Sequence, residues 1–185
     1  VVARLYPASD YSIPGLYARA SNSVRNAPLS QTLELTDQLL ALRPNDAYFW
    51  ELRGQALFEH GEIQPAIEAY NQALQFAPDE PVLLASAARV LLANKTYDSV
   101  TGALNLLNRA LLKEPNNSGY WRMMAIGYSD AGAQGLSALA MAESGLASRQ
   151  VSLAIGHAKR AQSLLEPNTP SWLRAKDIEI QAKLK

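Results

Sequence analysis

Cysteine is missing from all 185 residues, and with it go disulfides, zinc ribbons and thiol nucleophiles. The same absence suits a reducing cytosol and an oxidising periplasm equally, so composition leaves the compartment open. Net charge is missing too. Lys and Arg number 17 and Asp and Glu number 17, which gives no field favouring nucleic acid or anionic lipid over other partners. Long apolar runs are absent: Val82–Ala88 and Leu136–Ala142 end well short of the roughly 18 residues a bilayer span needs. Neither a nucleic-acid partner nor a membrane span is expected. Histidine is scarce, and neither His60 nor His157 has a second His four residues away, so the zinc-peptidase pattern H-E-x-x-H is absent. The glycine spacings lack the Lys-Ser/Thr of a phosphate loop. No catalytic residue, metal ligand or cofactor-binding residue is expected in this chain. His60 reads as the end of a helix beside Gly61, and His157 as one position on an Ala-rich helix.

What is present is a rhythm. Pro44, Pro78 and Pro115 recur at intervals of 34 and 37 residues, and Trp50 and Trp121 are 71 apart, which fits a 34-residue unit with a three-residue insertion near Lys95 to Val100. Within residues 47–80 the side chains divide the work of a helix pair. Trp50 is a large apolar anchor, and Gly54 and Ala66 are small enough to let two antiparallel helices approach closely. Gly61 suits a left-handed turn, Tyr70 and Ala73 fill the seam to the next helix, and Pro78 ends the second helix. A buried aromatic at Trp50 predicts a loss of roughly 3–5 kcal/mol on Trp50→Ala. On these seven positions the chain is identified as a member of the tetratricopeptide-repeat (TPR) proteins, with Arg53 where Leu is usual and Leu57 where Tyr is.

Neighbouring units follow the same phase. Ala103, Leu107, Ala110 and Pro115 repeat the second-helix pattern, Trp121, Met124, Ala125 and Tyr128 the first-helix pattern, and Ala154, Ala158, Ala161 and Pro167 another second helix. The 52 residues from Pro115 to Pro167 leave room for one inserted helix at about residues 133–148. Asp46, Asp79, Asn117 and Ser171 offer side-chain oxygens where helices must begin. The spacing predicts helices near 13–24, 29–42, 47–60, 63–76, 81–93, 99–113, 118–131, 134–148, 151–165 and 171–184. The fold class is therefore all-α, a TPR-like α-α superhelix (a right-handed solenoid of antiparallel helix pairs) with an extra inserted helix and a C-terminal capping helix. Residues 1–12 read as an extended tail and 13–185 as a single array. Its repeats fall near 13–46, 47–80, 81–117, 118–148 and 149–170, and the cap spans 171–184. In that cap Trp172, Leu173, Ile178 and Ile180 pack back, while Arg174, Lys176, Asp177, Glu179, Lys183 and Lys185 stay wet.

In TPR stacks the first helix of each pair lines the concave face, so residues offset from the packing positions meet a ligand. In residues 47–80 these are Tyr48, Glu51, Gln55 and Phe58. The next unit offers Val82, Ala85, Arg89 and Leu92, and the following one Arg122, Ile126 and Ser129. The expected ligand is a protein or peptide held in this groove, though Arg89 and Arg122 could equally solvate it or pair with Glu51. The TPR proteins that clamp chaperone C-termini use Lys and Asn at the two middle offsets; Glu51 with Gln55, and Ala85 with Arg89, argue against that class.

Tyr6-Pro-Ala-Ser-Asp, Ser12-Ile-Pro, Tyr17-Ala-Arg-Ala, the stretch from Pro44 to Glu59, and Ser171-Trp-Leu-Arg-Ala-Lys-Asp-Ile together resemble the TPR region of periplasmic zinc metallopeptidases of the BepA-like kind. The opening Val1-Val2-Ala3-Arg4, without an initiator Met, reads as a piece of a longer polypeptide. The resemblance implies an upstream catalytic domain that alone carries zinc, a periplasmic location, and partners that are either that protease domain or outer-membrane assembly components. The alternative is a self-standing TPR adaptor or a secretion or assembly co-factor; an enzyme in its own right is the third reading.

Overall fold

The computed structural model describes residues 2–184, and within them every regular element is an α-helix. In order they are α1 (Val2–Leu5), α2 (Ile13–Asn26), α3 (Leu29–Leu42), α4 (Ala47–Glu59), α5 (Ile63–Phe76), α6 (Pro81–Asn94), α7 (Tyr97–Lys113), α8 (Ser118–Asp130), α9 (Gln134–Ala147), α10 (Val151–Leu164) and α11 (Pro170–Lys183). Short connections make consecutive helices antiparallel neighbours. The N-terminal segment departs from the expected extended tail. Residues 2–5 form a helical turn, closed by the Tyr6 amide on the Val2 carbonyl at 2.8 Å. Arg19 of α2 then donates to the carbonyls of Pro7 and Asp10, each at 2.6 Å, which ties the following loop down. Val1 and Lys185 lie outside the described residues. The chain divides into two compact units, Val1–Val90 and Leu91–Lys185, with the boundary inside α6.

In the first unit Leu16, Ala20, Val24, Leu39, Phe49, Leu52 and Ala56 form a buried apolar cluster. Asp46 starts α4 by accepting from the Tyr48 amide, satisfying one of the free donors of the first turn. Gly61, at φ +83°, ends it in the left-handed region that glycine adopts most cheaply. Between these ends, a Cβ on Gly54 would lie 2.9 Å from the Tyr70 ring, so the small residue expected there is what lets α4 meet α5. Arg53 departs from the TPR pattern because it donates to Asp37 and, at 3.2 Å, to Thr36 Oγ1, tying α4 to α3.

Trp50 is only partly buried. Its indole N–H donates to the Pro44 carbonyl at 2.8 Å, and Trp121 does the same to Pro115 at 2.8 Å, six residues back in both cases. The tryptophan of each unit thus closes the loop from the preceding proline as well as packing. With part of the ring in water, Trp50→Ala is expected to cost about 2 kcal/mol in chemical denaturation, less than a fully buried aromatic.

In the second unit Asn117 caps α8 by accepting from the Gly119 and Tyr120 amides. Helix α9 occupies the place of the expected inserted helix and packs against α8 and α10. The seam is rich in small residues: Ala138, Ala142, Ala154, Ala158, Ala161, Ala175 and Ala182 are all buried, with Ile178, Leu139 and Leu146 packed among them. Helix α11 packs on α9 and α10 through Ala175, Ile178 and Ala182. Leu173 and Ile180, expected to pack back, are exposed, because the inward stripe of that helix runs through 175, 178 and 182 and positions 173 and 180 fall on the opposite side. The cap of α11 is Thr169, whose Oγ1 accepts from the Trp172 amide, rather than Ser171. The Trp172 indole donates to the Gln162 carbonyl at 3.1 Å. A bidentate pair, Arg174 Nε to Glu143 Oε1 at 2.5 Å and Arg174 Nη2 to Glu143 Oε2 at 2.8 Å, fastens α11 to α9.

Candidate functional site

Tyr48, Glu51, Gln55 and Phe58 follow one another at three- and four-residue steps along α4, so they share one face of that helix. Tyr48 is exposed, and Glu51, Gln55 and Phe58 are half-buried. Helix α6 brings its single charged residue to the same place: the Arg89 guanidinium sits 4.9 Å from the centre of the Phe58 ring, a cation–π contact. One turn before Arg89, Ser86 Oγ donates to Glu51 Oε1 at 3.5 Å. The first unit therefore assembles Glu51, Phe58 and Arg89 into one patch with Tyr48 and Gln55 alongside. Helix α6 does not supply all four positions that the repeat offset predicts. Ala85 and Leu92 are buried and only Val82 and Arg89 are exposed, because α6 is apolar almost all round and packs on more than one side. Arg122 and Ile126 lie one turn apart on α8 in the second unit, both exposed.

Burial raises the Glu51 pKa above the ordinary 4.5, Glu80 adds to the rise, and Ser86 and Arg89 oppose it. The Tyr70 hydroxyl, enclosed beside Arg89 and Ser86, is pushed up to about 12, chiefly by burial and next by the Glu51 charge. Tyr17 is raised in the same way, by burial first and Glu51 second. An acidic side chain is thus held partly dry near two tyrosine hydroxyls and a guanidinium.

A group that binds its proton more tightly when folded opposes folding once it ionises. Its cost is absent below the ordinary value of 4.5 and sets in as pH rises through the raised folded value. Glu51→Gln is therefore expected to raise the melting temperature at pH 7, by on the order of 1–2 °C, and to leave it unchanged at pH 4. Melts of the two proteins at both pH values check this; an equal difference at both would mean that the Glu51 charge carries no such cost.

Tyr17, Tyr70 and Ser86 belong to this patch but not to the groove offsets first assigned. Tyr17 was legible, since it stands 34 residues before Glu51 and so occupies the same offset in the preceding unit; its ring also lies 6.0 Å from that of Phe49. Tyr70 is legible only as a packing residue, and Ser86 sits one position off the pattern. A cleft of about 480 Å³ lies elsewhere in this unit, against Tyr6, Tyr11, Asn22 and Asn26, and none of the expected contact residues lines it. Among the described residues no three His, Cys, Asp or Glu side chains come together as a metal site, and no helix is long and apolar enough to cross a membrane.

Residues 10–143 match the family model of the cytochrome c-type biogenesis protein H TPR domain. The chain belongs to that family. A curated relative of the family, the cytochrome c-type biogenesis protein CycH of Rhizobium meliloti (strain 1021), is 30% identical over 93 residues, covering 50% of this chain and 24% of CycH. The chain thus matches about a quarter of the length of that relative. Among solved structures, MamA of Desulfovibrio magneticus RS-1 superposes with a TM-score of 0.68 at 14% identity, covering 93% of each chain. Yeast Tom70 does so with a TM-score of 0.59 at 16% identity, over 98% of this chain and 34% of Tom70. At such identities the likeness carries the fold alone, and that fold is the TPR-like α-α solenoid expected from the repeat spacing. As a member of a TPR-domain family, the chain is a TPR-type protein-interaction scaffold. The expected kinship with BepA-like metallopeptidases is not shown; the family matched is one of cytochrome c-type biogenesis.

Proposed function

We propose that this chain is the protein-recognition module of a cytochrome c-type biogenesis factor, holding a polypeptide against the α4 face with Tyr48, Glu51, Gln55, Phe58 and Arg89. This is the assembly co-factor reading, and the family match favours it over an accessory domain of a protease. The observation that carries it is the Arg89–Phe58 stack beside a half-buried Glu51. A partly dry acid costs stability where a neutral side chain would not, and such a cost is retained where a surface has to recognise something. Exposed Tyr48 and Val82 beside these charges give the aromatic and polar mixture of a recognition surface. Arg122 and Ile126 on α8 are exposed in the second unit and are taken there as candidate contacts. On this reading the polypeptide is a cytochrome chain before haem is attached, and the place of the work is the periplasm.

The test is titration of the purified domain with a haem-free cytochrome c polypeptide and, separately, with a scrambled polypeptide of the same composition. Dissociation constants in the micromolar range, about −8 kcal/mol, are expected for the first. Replacing Phe58 and Arg89 together by Ala is expected to weaken binding at least about tenfold, because both a stacked ring and its cation are lost, with the helical circular dichroism unchanged. Equal affinity for both polypeptides, or undiminished affinity in the double variant, overturns the reading. An Arg122→Ala variant then shows whether α8 contributes.

A further inference from the structure

A second polar site lies in the second unit, where the end of α8 meets α9 and α10. A cleft of about 210 Å³ is lined by Ser129, Gln134, Ser137, Met141, His157 and Arg160, with Ala138 in its wall. Its chemistry is one-sided: cation-forming, amide and hydroxyl groups face it, and no Asp or Glu does. Among the described residues no carboxylate forms an ion pair with Arg160. His157 and Arg160 lie three residues apart on α10, close enough to face the same space. Two groups able to carry positive charge are thus held close together, with no group of opposite charge lining the space between them.

We propose that this cleft binds an oxyanion, the carboxylate or phosphate group of a ligand, between Arg160 and His157. The guanidinium presents a planar fork of donors suited to two oxygens at once. The His157 ring N–H, the Gln134 amide and the Ser129 hydroxyl complete the donor set. Ser137 is already engaged, its hydroxyl donating to the Ala125 carbonyl at 2.8 Å, so it offers only a lone pair. Met141 and Ala138 form the apolar side of the cleft. The volume is below the roughly 300 Å³ at which pockets begin to enclose whole small molecules, so the site suits a charged group and not an entire cofactor. Burial and the neighbouring Arg160 both lower the His157 pKa. The ring is therefore mostly neutral at pH 7 in the empty site, and an anion seated between the two side chains draws a proton onto it. The site stands independently of the α4 face, so either can fail without the other.

The chain has two histidines, which makes the test simple. Imidazole resonances of the whole domain are followed by NMR at constant pH 6.5 and constant ionic strength while inorganic phosphate, or in a separate arm acetate, is added. His157 is expected to move saturably toward its protonated position while His60, whose Nδ1 contacts the Ala56 carbonyl in the first unit, stays still. Arg160→Ala, at an exposed position, is expected to weaken the response about tenfold, the loss of one charge-assisted contact. A response to acetate alone assigns the site to carboxylates, and one to phosphate alone to phosphates. No movement of His157, equal movement of both histidines, or an undiminished response in Arg160→Ala overturns the proposal.

Discussion

Arg174→Ala is expected to destabilise the protein by about 3 kcal/mol, roughly three times the loss from Glu143→Ala, although the two substitutions break the same ion pair. The asymmetry comes from where each charge is left. The Glu143 side chain is 10% exposed and that of Arg174 is 41% exposed. Without Arg174, a carboxylate stays inside the α9–α11 contact with its main hydrogen-bond donors gone. Without Glu143, the guanidinium turns into water and recovers its hydration, so the loss is closer to that of a surface pair, about 1 kcal/mol. Denaturant titration of the two variants, with the double variant to close the cycle, measures both. Equal losses would mean that the pair is effectively a surface contact and that the packing of Ala175, Ile178 and Ala182 alone holds the last helix.

Gly145→Ala and Gly156→Ala are expected to move stability in opposite directions, though both glycines sit inside helices of the same unit. A methyl group on Gly145 of α9 would lie 2.6 Å from the Ala154 amide nitrogen and 2.9 Å from its Cα. Those are backbone atoms of α10 and cannot swing aside, so the two helices must part, with a loss of about 2–3 kcal/mol after the gain in helix propensity is counted. A methyl on Gly156 would meet nothing within 4 Å, and relief of the glycine's backbone freedom gives a gain of about 0.5–1 kcal/mol. Thermal melts of the two variants check the pair. Wild-type stability in Gly145→Ala would mean that close backbone approach is not what joins α9 to α10.

These two glycines also mark the line between what could and could not be read from the residues in order. Gly61, Pro78 and the Trp50-to-Pro78 spacing place α4 and α5 within a residue of their ends, because each end is governed by a local rule about left-handed turns or missing donors. Helix α7 starts two residues earlier than expected: Lys95 takes a positive φ of 55° and Thr96 caps the helix. A left-handed lysine has no signature of its own. Arg149, with φ of 59°, follows α9 in the same unmarked way, whereas Asn168 before α11, at 65°, is of a type that adopts this conformation readily. At the candidate site, Tyr48, Glu51, Gln55 and Phe58 share a face because helical periodicity requires it. The stacking of Arg89 on Phe58 joins residues 31 apart, as does the Arg174–Glu143 pair, and no local pattern encodes such a meeting. Ala85 and Leu92 were assigned to the groove by offset, but an almost wholly apolar helix has no offset that must face water. The metallopeptidase kinship is not shown, for a related reason: Trp, Gly and Ala at TPR spacing report on helix packing and carry no information about which larger protein the packing serves.

The alanine seam of α9, α10 and α11 bears on how this part of the molecule responds to temperature. Each buried alanine removes little apolar surface from water and gives up no rotamer freedom on folding. The seam is therefore held by near contact of backbones, with dispersion contributing more per atom than in a leucine-rich core. Heat-capacity change on unfolding follows the apolar area newly exposed to water. An alanine-lined layer contributes less of it than one lined by leucine and phenylalanine, such as the Leu16–Leu39–Phe49–Leu52 cluster. Its share of the stability curve is correspondingly flat, changing little between a cold and a warm environment.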